Sequence, residues 1–161
     1  MDHRPPSQGS NETMSASGHR EIAGAIIIDT LGRFLLQQRD DVPGIIHPGK
    51  VGLFGGHREG DETYLECVVR EICEELSYFV PPERFEYLAG LDGLDLDVDG
   101  GTVRGCFFVA RDIPIDALVI TEGSLLTVKR SEVQTLEPKL TPSARFAIKV
   151  FFDRQRTNDR P

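Results

Sequence analysis

Residues 56–78 read GHREGDETYLECVVREICEELSY, and the second half of that stretch decides how the rest of the chain is read. Advancing about 100° per residue from Leu65, the residues Val68, Val69, Ile72 and Leu76 fall within roughly 60° of it. This stripe predicts an amphipathic helix from about Thr63 to Ser77, packed on a core. Thr63, followed three residues later by Glu66, forms a capping box at its start, and Pro81-Pro82 prevents continuation. Glu71, Glu74 and Glu75 share one flank of the same wheel, beside the buried face. Like charges at such spacing repel by about 0.2–0.5 kcal/mol per pair, and acidic groups near a helix C-terminus oppose its dipole. A solvated acidic face is one reading. The other is a bound hard cation such as Mg²⁺, which carboxylate oxygens suit.

Upstream, Glu21 to Asp29 (EIAGAIIID) is an almost unbroken apolar, β-branched run, followed by a turn-prone Asp29-Thr30-Leu31-Gly32. With Arg33 to Arg39 (RFLLQQR) it predicts a β-hairpin. The loop from Asp40 to Lys50 holds Pro43, Gly44, Pro48 and Gly49, and is longer than an ordinary connection. Val51 to Phe54 predicts a short strand ending at Gly55-Gly56. Downstream, strands are expected at 85–91 and 102–110, with short ones at 118–121 and 125–129. Thr141-Pro142 opens a final helix through Phe152. The run Asp95-Leu96-Asp97-Val98-Asp99-Gly100 opens like a calcium-binding loop, but Cys106 stands where its closing Glu is needed. A hairpin with one wet face is the better reading. The order of elements gives one α/β domain over residues 20–153, between a flexible tail (1–19) and a frayed polar tail (154–161).

A chain of 161 residues fits one domain with a real core. Its 18 Lys and Arg against 26 Asp and Glu leave a net charge of −8, which argues against duplex nucleic acid as partner. Cys67, Cys73 and Cys106 match neither a zinc site nor a disulfide framework. No apolar run is long enough to cross a membrane, and no signal-like segment opens the chain, so a cytoplasmic protein without a membrane partner is expected.

The spacing Gly56, five residues, Glu62, seven residues, Arg70-Glu71-Ile72-Cys73-Glu74-Glu75-Leu76 resembles the Nudix box. The one departure is Ser77, where the family pattern has Gly. The resemblance implies a Nudix-type α/β/α sandwich with a central mixed sheet, a box loop-helix and a C-terminal helix. It also implies Mg²⁺-dependent hydrolysis of a diphosphate linkage in a nucleoside diphosphate derivative, with Mn²⁺ able to substitute, by water attack on phosphorus. Glu71, Glu74 and Glu75 would be metal ligands, together with the Gly55 carbonyl, and one glutamate would serve as base. Glu62 and Arg70 would form the pair that orients the box. Glu122 sits where some members carry a loop carboxylate, though a solvated strand-end Glu is the alternative. Arg39 resembles a phosphate-contacting position. His57 and Arg58 occupy variable box positions and are expected to be solvated; His47 is read as a surface histidine or a pocket residue. Leu91 to Asp95 carries neither the Pro of ADP-ribose hydrolases nor the Tyr of diadenosine polyphosphate hydrolases. That leaves a small-molecule substrate, a nucleoside triphosphate or a nucleotide sugar, and a homodimer is compatible with either. The competing function is a catalytically silent Nudix-like nucleotide-binding or regulatory module, against which all the box glutamates are retained.

Overall fold

The apolar run near the N-terminus becomes the strand on which the others are ordered. In a computed structural model, which describes residues 18–159, β1 (His19–Asp29) and β2 (Phe34–Gln38) form the expected hairpin. They pair directly only at Ile27–Leu35 and Ile28–Phe34. Beyond that the two strands splay, and the segment 51–57 enters the gap. Its first part, β3 (Val51–Gly52), pairs with β2, and its second, β4 (Phe54–His57), pairs with β1. The strand expected to stop at Gly55-Gly56 therefore runs on through both glycines. On the outer edge of β2 lies β7 (Ser124–Val128). β6 (Thr102–Ile113) runs parallel to β1, and β5 (Phe85–Leu94) is antiparallel to β6. The sheet is mixed, as the sequence suggests.

One face is covered by α1 (Tyr64–Leu76), whose Val68, Ile72 and Leu76 pack against Ala23, Ala25 and Ile27 of β1. The other is covered by α2 (Pro142–Asn158), where Ala147, Ile148 and Phe151 meet the cluster holding Ile26, Ile28 and Phe34. Both faces of β1 are thus buried, which is why it reads as a continuous apolar run rather than an alternation. Among the described residues no helix is long and apolar enough to cross a membrane.

Several boundaries differ for identifiable reasons. No strand forms at 118–121, because its donors go elsewhere. The N–H groups of Val119 and Thr121 bond the carbonyls of Leu76 and Glu75, and the Thr121 hydroxyl bonds that of Glu74. The segment thereby caps the open C-terminal carbonyls of α1. α2 continues to Asn158 instead of stopping at Phe152, helped by Asp153, which pairs with Lys149 and Arg156. Residues 130–139 form a 3₁₀ run that no periodicity announces. Of the expected N-terminal tail, Gly18 and His19 are described and β1 takes in His19, while residues 1–17 lie outside the described residues, as do 160–161. The β5–β6 hairpin forms, but its faces are reversed: Leu94 is 81% exposed, whereas the Asp95 side chain is 1% exposed and bonded to Arg20.

The capping box at Thr63 is present in full, each partner's side chain accepting the other's backbone N–H. At the other end Ser77 adopts the left-handed conformation, φ 52° and ψ 37°, where a Cβ is a liability. Ser77→Gly should therefore stabilise the fold by up to about 1 kcal/mol and raise the melting temperature by a few degrees, measurable by calorimetry. An unchanged or lowered value would show that the cap conformation costs nothing here.

Candidate active site

The buried side of α1 is turned further than the apolar stripe alone suggests. Glu71 and Glu75 lie within it, buried beside Ile72 and Leu76, while Glu74 faces outward with its side chain 61% exposed. The three glutamates expected on one flank are thus divided between two environments. Among the described residues no three acidic, imidazole or thiol groups already enclose a metal-sized site. The reason lies in what each carboxylate holds. One oxygen of Glu75 accepts the Gly55 N–H at 2.8 Å, and the other accepts a hydrogen from the Gln37 amide at 3.2 Å. Glu71 sits against Gly56, where an added Cβ would lie 2.4 Å from its carboxyl carbon, and accepts from Arg70 at 2.9 Å.

Arg70 gathers the box. Its guanidinium donates to both Glu62 oxygens, at 2.6 and 3.0 Å, to Glu71, and to the His57 carbonyl at 3.0 Å. Arg70 lies one helical turn before Glu74, and its long side chain reaches Glu71 and comes to within 3.5 Å of Glu74. The expected Glu62–Arg70 pair is present and mostly enclosed. The bond from Arg70 holds the Glu62 carboxyl below its ordinary range. Burial raises Glu71 despite Arg70, and burial, with Glu122 and Glu71 nearby, pushes Glu75 up to about 9. Burial also lifts the Cys67 thiol to about 12, so it is an inert core group.

Glu75 faces a narrow cleft of about 90 Å³, lined also by Gln37, Arg39, Gly55 and Glu122. Arg39 donates its Nε–H to the Ile46 carbonyl at 2.8 Å and so ties the long loop to the end of β2. The Glu122 carbonyl accepts from Gln37. His57 and His47 line the cleft, which corrects the expectation of a solvated His57. Arg58 instead pairs with Glu21 and lies over the Tyr64 ring. Sequence reading missed Gln37. Its signal was a polar residue at a position of a short apolar strand where burial on both faces leaves no solvated side. Arg20, Asp97, Thr141 and Ser143 were also missed as cleft residues.

Residues 18–134 match the NUDIX domain family. The chain belongs to that family, the class of the Nudix pyrophosphohydrolases. No curated protein matches. Among solved structures, the MutT protein from Methanosarcina mazei Go1 is 21% identical with a TM-score of 0.71, covering 91% of this chain and 99% of its own. The NUDIX domain of Shewanella oneidensis NrtR, complexed with ADP ribose, is 20% identical, TM-score 0.67, covering 85% and 88%. A bifunctional NMN adenylyltransferase/ADP ribose pyrophosphatase from Francisella tularensis, complexed with AMP and a Mn ion, is 17% identical, TM-score 0.65, covering 84% and 42%. These likenesses describe the fold.

A carboxyl raised in the folded state favours folding below its unfolded value and loses that contribution as pH rises through its folded value. With Glu75 near 9 and an ordinary value of 4.5, chelator-treated protein should lose thermal stability between about pH 4.5 and pH 9. Glu75→Gln should flatten part of that slope, raising the melting temperature at pH 8 and leaving it nearly unchanged at pH 4.5. A slope identical in both proteins would show that the carboxyl is ionised at no cost.

Proposed function

We propose that the protein is an active hydrolase that cleaves a diphosphate linkage in a nucleotide derivative, a nucleoside triphosphate or a nucleotide sugar, with Mg²⁺ as cofactor and Mn²⁺ able to replace it. The observation that carries this reading is a surplus of buried carboxyl groups beside the cleft: Glu71 and Glu75 are both buried, and one of the carboxylates Arg70 serves is Glu62. The donor set is all oxygen, and the rise of Glu75 to about 9 is a cost that a hard cation would relieve. The residues fit such an ion. Glu71, Glu74, Glu75 and the Gly55 carbonyl are proposed to hold it; Glu74 is exposed and held only by a 3.5 Å contact with Arg70. Such ions offset the charge that builds on phosphoryl oxygens and make the approach of water tolerable.

The chain's own groups do the rest. Arg70 fixes the loop through Glu62 and the His57 carbonyl, so that Glu71 and β4 keep one geometry. Arg39 supplies positive charge on the cleft wall of a protein whose net charge of −8 would otherwise repel the substrate. Glu122, on the same wall, is proposed as the loop carboxylate that takes a proton from the attacking water.

Glu74→Gln is the cleanest test, since an exposed side chain can lose its charge without disturbing the core. Phosphate or pyrophosphate release, measured over a panel of nucleotides with Mg²⁺, should fall by at least 100-fold, about 2.7 kcal/mol or more of barrier, with an unchanged melting temperature. Undiminished turnover would remove Glu74 from the ligand set, and nucleotide binding without turnover in the unaltered protein would favour a silent module.

Arg70→Ala should lower kcat at least tenfold. Because it also strands Glu71, a melting-temperature drop of several degrees should accompany it. Normal turnover by the folded fraction would make Arg70 a stability residue alone.

A further inference from the structure

Charge is unevenly distributed along this chain. Residues 129–158 hold seven Lys and Arg against three Asp and Glu, although the whole protein carries −8. Five of these cations stand on the side of the sheet away from α1, around a groove between α2 and the 3₁₀ run 130–139. Two depressions make up the groove and meet at Gln134 and Phe152. One, of about 230 Å³, lies beside α2; the other, of about 550 Å³ and more open, reaches the β1–β2 turn. None of the residues that line them lines the cleft at Glu75.

Arg145, Lys149 and Arg156 stand at i, i+4 and i+11 on α2, within about 40° of one another, and form one rim about 16 Å long. All three are exposed, as are Lys129 and Arg130, which line the second depression. Few acidic groups oppose them. Glu137 is the one carboxylate in the lining, and Lys149 and Arg156 share Asp153. Arg33, at the far end, is already matched by Asp29. The floor between the cations is apolar and recessed: Val133, Leu140 and Ile148 are at most 4% exposed, and Phe152 is half-buried. Leu31, 75% exposed, stands at the end by the hairpin turn.

We propose that this groove docks an acidic segment of a partner protein, one that carries apolar side chains at intervals among its carboxylates. A rim of one sign attracts negative charge and steers its approach, which the net charge of −8 would otherwise oppose. The recessed floor takes the apolar side chains, as grooves do that receive amphipathic segments. Single-stranded nucleic acid would bring phosphates to the rim, but it draws much of its affinity from bases stacked on free aromatic faces. Phe152, the one aromatic residue in the lining, is already stacked on Phe34 and has the Arg130 guanidinium over its ring at 5.6 Å. An anionic lipid surface meets the cations and is too flat to reach the floor.

The test uses the full chain and a fluorescein-labelled peptide of about 16 residues, Glu throughout except for Leu at every third or fourth position. Fluorescence anisotropy at low salt should show saturable binding that weakens as salt rises. The same peptide with Gln for Glu, or with Ser for Leu, should bind at least about tenfold more weakly. Joint replacement Arg145→Ala and Lys149→Ala should weaken the acidic peptide by a similar factor, and so should Lys129→Glu. Leu31→Ser should weaken it severalfold without changing its salt dependence. Each variant should keep the melting temperature within a few degrees and the turnover of nucleotides unchanged. Should the double variant fail to fold, Lys129→Glu and Leu31→Ser, both on exposed side chains outside α2, decide the matter. Absence of saturable binding by the unaltered protein overturns the proposal, as does equal binding of the Gln peptide or binding that no variant weakens. Tighter binding of oligouridine or of phosphatidylserine vesicles, lost in the same variants, would overturn it in favour of nucleic acid or membrane. Self-association in sedimentation that the same variants abolish would overturn it in favour of a second copy of the chain.

Discussion

The backbone at Gly55-Gly56 lies against β1 on one side and α1 on the other, and a Cβ at either position would be met at 2.3 Å by the Ala23 carbonyl or at 2.4 Å by the Glu71 carboxyl. Contacts that close are outside the range of real side chains. The absence of two Cβ atoms therefore lets the wedge 51–57 enter between the splayed strands and lets two helix carboxylates press against it. The Gly55 N–H then becomes the partner of Glu75. Every other feature of the site follows from that approach: the depth of Glu71, the cleft beside Glu75, and the direction in which α1 must be turned.

Such packing is electrostatically expensive. Two carboxylates are withdrawn from water and are compensated by one guanidinium, one backbone N–H and one side-chain amide. Buried carboxyl groups with so few donors are a mark of functional sites, because a core built for stability alone would replace them. Arg70 contains part of the cost by binding Glu62, Glu71 and the His57 carbonyl at once, so loop, helix and strand cannot move independently. A single flexible lysine could not meet those acceptors in one plane.

The opposite end of the same cleft solves a related problem differently. Arg20 and Asp95 neutralise one another in a buried bidentate pair, and the surplus carboxylate, Asp97, faces the cavity beside His47. One end of β1 therefore meets buried carboxyl groups with few donors, and the other meets them with a buried guanidinium.

Local patterns determined much of this. The capping box, the helix, the β1–β2 hairpin, the final helix's start at Thr141 and the spacing of Gly56, Glu62, Arg70 and the glutamates are all relations between near neighbours, which periodicity and residue chemistry expose directly. The family followed from the same spacing. What the chain order could not disclose depends on contacts between distant segments. The reversal of the Asp95 hairpin is driven by Arg20, 75 residues away; the 118–121 segment gives its donors to α1 rather than to a strand; Gln37 matters only because Glu75 arrives opposite it. The rotation of α1, which buries Glu71 and Glu75 and leaves Glu74 outside, is likewise set by how closely Gly55-Gly56 admits the helix. A helical wheel records which residues share a face, and only the packed neighbour decides how far that face is turned inward.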